Sequence, residues 1–225
     1  MIINKNIIAF NMPFICLILF KTDQSVTLIS TFITDFNDMI ANIEDKIINA
    51  AIEVFAKKGF DIATTDEIAK RSGISKGTVF LHFKRKDDLI QNVAILSVPY
   101  DLIVSTISGN YKSAEDLLTE FGLSFLKKYS NKNMRALLIM TMAYKDRYRK
   151  IKAKLKAACF DKMDQLFKKV EEMTGFAIPQ PMRRAFFGSL LCYIIWWDDN
   201  KIEPEEYVRA LVKGILNSAS SLTSH

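Results

Sequence analysis

Residues Thr64–Lys86, TTDEIAKRSGISKGTVFLHFKRK, decide how the chain reads. Thr64 followed by Glu67 is a capping box: the threonine hydroxyl accepts from a free amide while the glutamate reaches back to the cap. Ile68 and Ala69 fall on the inner side of the helix that starts there. Lys70 and Arg71 close its last turn, where cations suit the dipole. Gly73 supplies the left-handed residue that ends a helix tightly. Ile74 plugs the turn, and Ser75 caps a second helix, expected from Lys76 to about His82. Two helices joined through a glycine turn, the second opening with small and basic residues, form the helix-turn-helix pattern, which suits the DNA major groove. Gly77 and Thr78 have little bulk, so the backbone there can approach a duplex closely. Lys70, Arg71, Lys76, Lys84, Arg85 and Lys86 lie in this stretch with no Asp or Glu between the first and last. A single-sign run around a small folded unit is an electrostatic footprint for phosphate.

Working outward, the rest reads as helix. Asn42 is the expected cap of a first helix, with Glu44 and Asp45 in its opening turn and Lys57, Lys58 and Gly59 at its end. Ile47, Ala51, Val54 and Phe55 follow helical spacing as its inner face. Lys86 opens a fourth helix with Asp87 and Asp88 in its first turn and a stop near Pro99, and Arg85 stands where a polar cap is usual. Downstream, Ser113 starts a helix striped by Leu117, Leu118, Phe121 and Phe125. Asn131 or Asn133 starts another, ending around Tyr144. A long helix from about Asp146 to Met173 is expected to stop at Gly175. Pro179 and Pro181 punctuate the next passage, Pro181 suiting a first helical position, and the last helix runs from Glu205 to about Ser218. No alternating strand pattern appears. The expected fold is all-α: an extension over 1–38, a three-helix helix-turn-helix head over 39–92, and a helical effector-binding and dimerisation body over 93–225.

The residues Ile47-x-x-Ala50-Ala51-x-x-x-Phe55-x-x-x-Gly59, Thr64-Thr65-x-x-Ile68-Ala69 and Gly73-Ile74-Ser75-Lys76-Gly77-Thr78-Val79-Phe80-x-His82-Phe83-Lys84-x-Lys86-x-x-Leu89 resemble the amino-terminal domain of TetR-type transcriptional regulators over roughly Ile43 to Asn92. The resemblance implies that Thr65, Lys76, Gly77, Thr78, Phe80, His82 and Lys86 occupy DNA-contacting positions. Thr64 and Lys84 join them as DNA-binding candidates. Phe80 departs from the family pattern, where tyrosine is usual and its hydroxyl reaches a phosphate. Beyond Asn92 the resemblance implies a helical ligand-binding and dimerisation domain. The function it implies is a cytoplasmic, sequence-specific regulator, more often a repressor, acting on a double-stranded, palindromic or pseudopalindromic operator and released by a hydrophobic small molecule. The alternative is a helical ligand-binding or interaction protein whose head no longer reads a specific operator, a reading that Phe80 favours.

Ala185–Trp197, AFFGSLLCYIIWW, is apolar nearly all round, so it must be covered on every side. Arg183, Arg184, Asp198 and Asp199 flank it too closely for a membrane span. With Tyr207, Leu211, Val212 and Ile215 of the last helix it suggests a four-helix interface in a homodimer, the place where the resemblance puts dimerisation; the alternative is an ordinary core helix. Dimerisation would set two recognition helices about 34–36 Å apart, the spacing of successive major grooves. Phe121, Phe125, Met140, Met142, Tyr144, Phe160, Met163, Phe167 and Trp196 are candidates to line an apolar effector pocket, each set against simple core packing. Lys145–Lys156 carries seven cations against Asp146 alone. It reads either as a solvated helix whose lysine stems cover apolar surface or as an anion site, for example for a phosphate-bearing effector such as an acyl-coenzyme A.

Composition narrows the classes. A net charge of +6 favours a polyanionic partner, and 16 Phe in 225 residues exceed what a bare DNA-binding head needs. Cys16, Cys159 and Cys192 are too scattered for a metal site and odd in number for a secreted disulfide framework. His82 and His225 are the only histidines, and no nucleophile elbow, phosphate loop or metal-ligand spacing is visible. No catalytic residues, metal or cofactor are expected. Ile7–Phe20 is apolar but interrupted by Asn11 and Pro13 and short of the roughly 20 residues that span a bilayer. Met39, just ahead of the first helix, is the expected true start; the alternatives are a real appendage packing on the body or a weak membrane-associating tail.

Overall fold

The computed structural model describes residues 23–199 and 201–223, all helix and connecting turns with no strand among them. Expectations for the segment before Asp23 lie outside the described residues. Two compact units divide the chain, Met1–Asp45 and Lys46–His225; the body and the head from Lys46 onward fall in the second, and residues 39–45 of the expected head in the first.

Helix α1 is Asp23–Ile62. Asn42 therefore does not start it, contrary to expectation: no glycine or proline interrupts Asp23–Lys58, and an isolated cap residue yields to helix propagation. The expected end holds, since Gly59 leaves helical geometry at φ 83°. In the head, α2 is Thr65–Ser72, α3 Lys76–His82 and α4 Lys86–Ser97. Ile47, Ala51, Phe55, Phe60, Ile68, Val79 and Leu89 are fully buried and form its small core. Phe55 and Phe60 meet edge to face at 5.3 Å.

The body contains α5 (Tyr100–Ser108), α6 (Ala114–Ser130), α7 (Lys132–Tyr144), α8 (Arg149–Leu155), α9 (Lys162–Thr174), α10 (Gln180–Ile195) and α11 (Pro204–Thr223). Sequence reasoning missed α5, which resumes directly after Pro99 on an apolar side led by Ile103. The long helix expected from Asp146 is instead α8 and α9 joined by a π-helical stretch, Lys156–Asp161. It ends at Gly175 with φ 77°. Helix α6 lies at the centre, against α5, α7, α9, α10 and α11, and Phe121, Phe125, Tyr129, Phe167 and Phe186 fill the space between these helices.

Helix α4 connects the two regions. Its side chains pack on α7 and α8, and its carboxy-terminal end is held by a buried polar group: Tyr129 Oη donates to Ser97 O at 2.8 Å, and the Ser97 and Thr141 hydroxyls pair at 3.0 Å. Lys86–Ser108 is long and apolar enough to cross a bilayer by length and composition. Pro99 divides it, and Ile90, Val93, Ala94, Val98 and Ile103 are core residues, which accounts for its apolarity.

Candidate nucleic-acid interface and internal cavity

The caps written in the sequence are present as bonds. Glu67 N donates to Thr64 Oγ1 at 3.2 Å and Thr64 N to Glu67 Oε2 at 3.1 Å. Lys58 pairs with the same carboxylate, and this pairing, ahead of the Thr64 amide, holds the Glu67 carboxyl below its ordinary range. Gly73 takes φ 69°, turning the chain into α3. Ser75 Oγ accepts from Thr78 N at 3.1 Å and starts that helix. Arg85 does cap α4, but through its main chain: its amide donates to Asp88 Oδ2 at 3.0 Å, so the carboxylate three residues on replaces the missing polar cap.

These caps fix how α3 presents itself. Val79 points into the head core, while Lys76, Gly77, Phe80 and Leu81 are exposed and Thr78 and His82 half-buried. Gly77, Phe80 and Leu81 follow the i, i+3, i+4 spacing of one helix face, and Lys84 lies just beyond the end of α3, after the extended Phe83. Leu81 is 74% exposed and Phe80 39%. Sequence reasoning did not single out Leu81; the signal was available, because a leucine between Phe80 and His82 cannot share the inward side with Val79 and Phe83. Apolar groups on such a face suit thymine methyls. Lys76 Nζ pairs with Asp66 Oδ1 at 2.7 Å, both side chains exposed; surface pairs of this kind are worth about 0–1 kcal/mol and exchange easily for another anion. Lys84 is exposed. Lys86 Nζ donates to the Asp61 main-chain oxygen at 2.8 Å, and an ammonium keeps two further protons for a phosphate.

Asp61 collects partners from the body as well. Tyr144 Oη donates to its Oδ2 at 2.8 Å and Arg147 Nη1 to its Oδ1 at 2.6 Å. The Asp61 carboxylate, followed by burial, raises the Tyr144 hydroxyl above its ordinary pKa. The Tyr144 ring also meets Phe60 edge to face at 5.7 Å. Tyr144, expected in an effector pocket, therefore faces the head instead; it is the last residue of α7, and its hydroxyl reaches the nearest carboxylate.

A cavity of about 450 Å³ opens in the body, walled by Met142, Leu155, Phe160, Met163, Phe187 and Leu191, with Lys145, Asp164, Gln180, Arg183, Arg184 and Gly188 completing the lining. Of the residues expected to line a pocket, Phe160, Met142 and Met163 are on this wall. Phe121, Phe125 and Phe167 are not: all are fully buried, because α6 and α9 turn them onto α10, where Phe121 and Phe167 meet Phe186 and Phe125 meets Phe187. Met140 is also absent from the lining. Trp196 caps the end of α10 and is 60% exposed.

The outer side of the last two helices is likewise set by the structure. Tyr207, Leu211, Val212 and Ile215, expected at a dimer interface, face the chain's own core. Exposed there are a small-residue side, Ala185, Gly188 and Cys192 on α10 and Ala210, Gly214, Ser218 and Ser221 on α11, with Ile195 and Trp196 at the end of α10, and a charged side that includes Arg184, Glu206, Arg209 and Lys213.

This arrangement defines a helix-turn-helix protein with a helical body that holds a cavity. Residues 47–93 match the family described as bacterial regulatory proteins, tetR family. The head belongs to that family, and the chain as a whole has the all-helical fold of solved tetR-type proteins. The chain is 51% identical over 47 residues to the uncharacterized HTH-type transcriptional regulator YerO of Bacillus subtilis, covering 21% of this chain and 16% of that protein. It is 44% identical over 52 residues to the HTH-type transcriptional regulator QacR of Staphylococcus aureus, covering 23% of this chain and 28% of that one. These matches span well under two thirds of either relative. The fatty acid degradation regulator FadR of Bacillus halodurans superimposes with a TM-score of 0.62 at 22% identity, over 77% of this chain and 97% of that one.

Proposed function

We propose that this protein is a sequence-specific transcriptional regulator without enzymatic activity, acting in the cytoplasm as a homodimeric repressor that a hydrophobic small molecule releases from its operator. One observation carries the reading. The amino-terminal turns of α3 stand clear of the protein, with Lys76 and Gly77 exposed and Thr78 half-exposed, as insertion into a major groove requires. Lys84 and Lys86 hold phosphates in this reading, while Lys76, Thr78 and His82 approach bases or neighbouring backbone, and Phe80 and Leu81 supply apolar contact. The small-residue sides of α10 and α11 allow a second copy to approach closely, twinning the heads for two half-sites. A ligand in the cavity acts by binding better to the conformation with wrongly spaced heads.

Footprinting on the promoter nearest the protein's own coding region tests this. The expected result is protection of two half-sites about one helical turn apart that survives competitor DNA. Lys84→Ala should weaken binding evenly on all sequences and reduce the salt slope by about one for each phosphate no longer neutralised. Lys76→Ala should instead relax preference at one base position. Uniformly weak, competitor-sensitive retention would replace this reading with the alternative, a helical interaction protein whose Phe80-bearing head no longer selects an operator.

A further inference from the structure

We infer that the cavity takes a single-chain amphiphile with an anionic head, anchored by Arg184 and Lys145. The inference rests on the effector reading above and names the ligand class of that site. The interior wall is Met142, Leu155, Met163, Phe187 and Leu191, which offers an alkyl chain no polar partner. The charged lining is three cations, Lys145, Arg183 and Arg184, against the single carboxylate of Asp164. These cations are not equivalent. Arg183 is structural: it binds Glu171 at 2.8 Å, Asp164 at 3.4 Å and the Ile178 carbonyl at 2.7 Å, and its guanidinium stands over the Phe167 ring. Its engagement with Asp164 and Glu171 leaves those carboxylates compensated. Lys145 pairs with Asp146 at 3.3 Å, but Lys152 holds the same carboxylate at 2.7 Å, so Asp146 stays compensated when Lys145 turns to another anion. Arg184 makes no ion pair among the described residues; its guanidinium lies over the Phe160 ring, 5.8 Å from its centre.

Phe160 marks where the ligand enters. It is 56% exposed, an unusual state for a phenylalanine, and it sits on the π-helical stretch Lys156–Asp161. Such stretches are rare and concentrate at functional sites. Here the stretch sets an aromatic ring on the cavity wall beneath a cation whose charge is otherwise unanswered. Chain and head requirements thus meet at one wall: an alkyl tail against Met142, Met163, Phe187 and Leu191, and a carboxylate or phosphate at Arg184 and Lys145. A cationic head would face the guanidinium directly, and a neutral one would leave it unanswered.

Isothermal titration of the full chain, below micelle concentrations, with dodecanoate, dodecyl phosphate, dodecanol and dodecyltrimethylammonium tests the class. Both anions should bind, with dodecanoate about tenfold tighter than dodecanol and the ammonium weakest. The ranking of the two anions distinguishes a carboxylate ligand from a phosphate one. Shortening the chain by two methylenes should weaken binding about tenfold. Arg184→Gln should erase the preference for dodecanoate over dodecanol while leaving dodecanol binding and the thermal midpoint unchanged, and Lys145→Gln should reduce it in part. Equal binding of anion, alcohol and ammonium, no binding of any, or an Arg184→Gln protein with intact anion preference would overturn the inference. Adding operator DNA separates it from the broader reading: dodecanoate that binds through Arg184 without displacing DNA upholds the ligand class and defeats the effector role.

Discussion

The head and the body are both built from helices, but different forces hold them. The head has short helices around a core of a few side chains, and its geometry is set by directed bonds: the Thr64–Glu67 box, the Ser75 cap, the left-handed Gly73 and surface pairs such as Lys58–Glu67, Arg71–Glu53 and Lys76–Asp66. The body is held by bulk. Phe121 lies 6.1 Å from Phe186, Phe167 lies 5.8 Å from Phe186, and Phe125 lies 4.6 Å from Tyr129. Directed bonds fail one at a time and locally; a packed aromatic cluster fails together. The region proposed to meet nucleic acid is thus the region whose shape depends least on burial.

The strongest way to break this contrast is Phe167→Ala. The ring is fully buried, and its removal should cost about 3–5 kcal/mol in chemical denaturation; a loss below about 1 kcal/mol would deny the body its packed character. Gly122→Ala comes next. An added Cβ would stand 2.6 Å from Val208 Cγ1, forcing α6 and α11 apart for about 1–3 kcal/mol, visible as a lowered Tm.

In the head, Thr64→Ala should cost about 1 kcal/mol, and amide exchange should localise the loss to α2 rather than spread it through the chain. The same box gives the head an acid sensitivity. The Glu67 pKa is lowered from its ordinary 4.5 by Lys58 first and the Thr64 amide second. Its contribution is therefore complete above that value and fades as pH falls through the lowered one. Opening of α2 in acid that is unaffected by Glu67→Gln would remove the carboxylate from the account. The smallest effect should carry the opposite sign. Thr119 Oγ1 is buried on α6 without a hydrogen-bond partner among the described residues, so Thr119→Val should raise stability by about 1 kcal/mol.

The same contrast explains what could be read in advance. Capping boxes, glycine turns and the register of α2 and α3 are local, so Thr64, Gly73, Ser75 and the span Lys76–His82 were legible residue by residue. Gly175 and Ser113 were legible for the same reason, and Asn131 only as one of two candidates, the other being Asn133. The body's inner arrangement was not. Phe160 and Phe167 lie seven residues apart and look alike in sequence, yet Phe160, inside the π-helical stretch, is on the cavity wall and Phe167, on α9, is in the core. Tyr144 was misplaced because its partners, Phe60 and Asp61, lie more than eighty residues away. On α11, helical spacing grouped Tyr207, Leu211, Val212 and Ile215 but could not show that they faced the chain's own core rather than a second copy.

Asp61 stands two positions past Gly59, where the backbone already departs from helix at φ 83°. Its carboxylate carries Tyr144 and Arg147, while its carbonyl carries Lys86. Neutralising this one side chain would release two fasteners and leave the third in place, because the third grips main chain. A single amide at position 61 therefore separates how firmly the proposed reading head is tethered from how well it would read, without disturbing any atom on the outer side of α3.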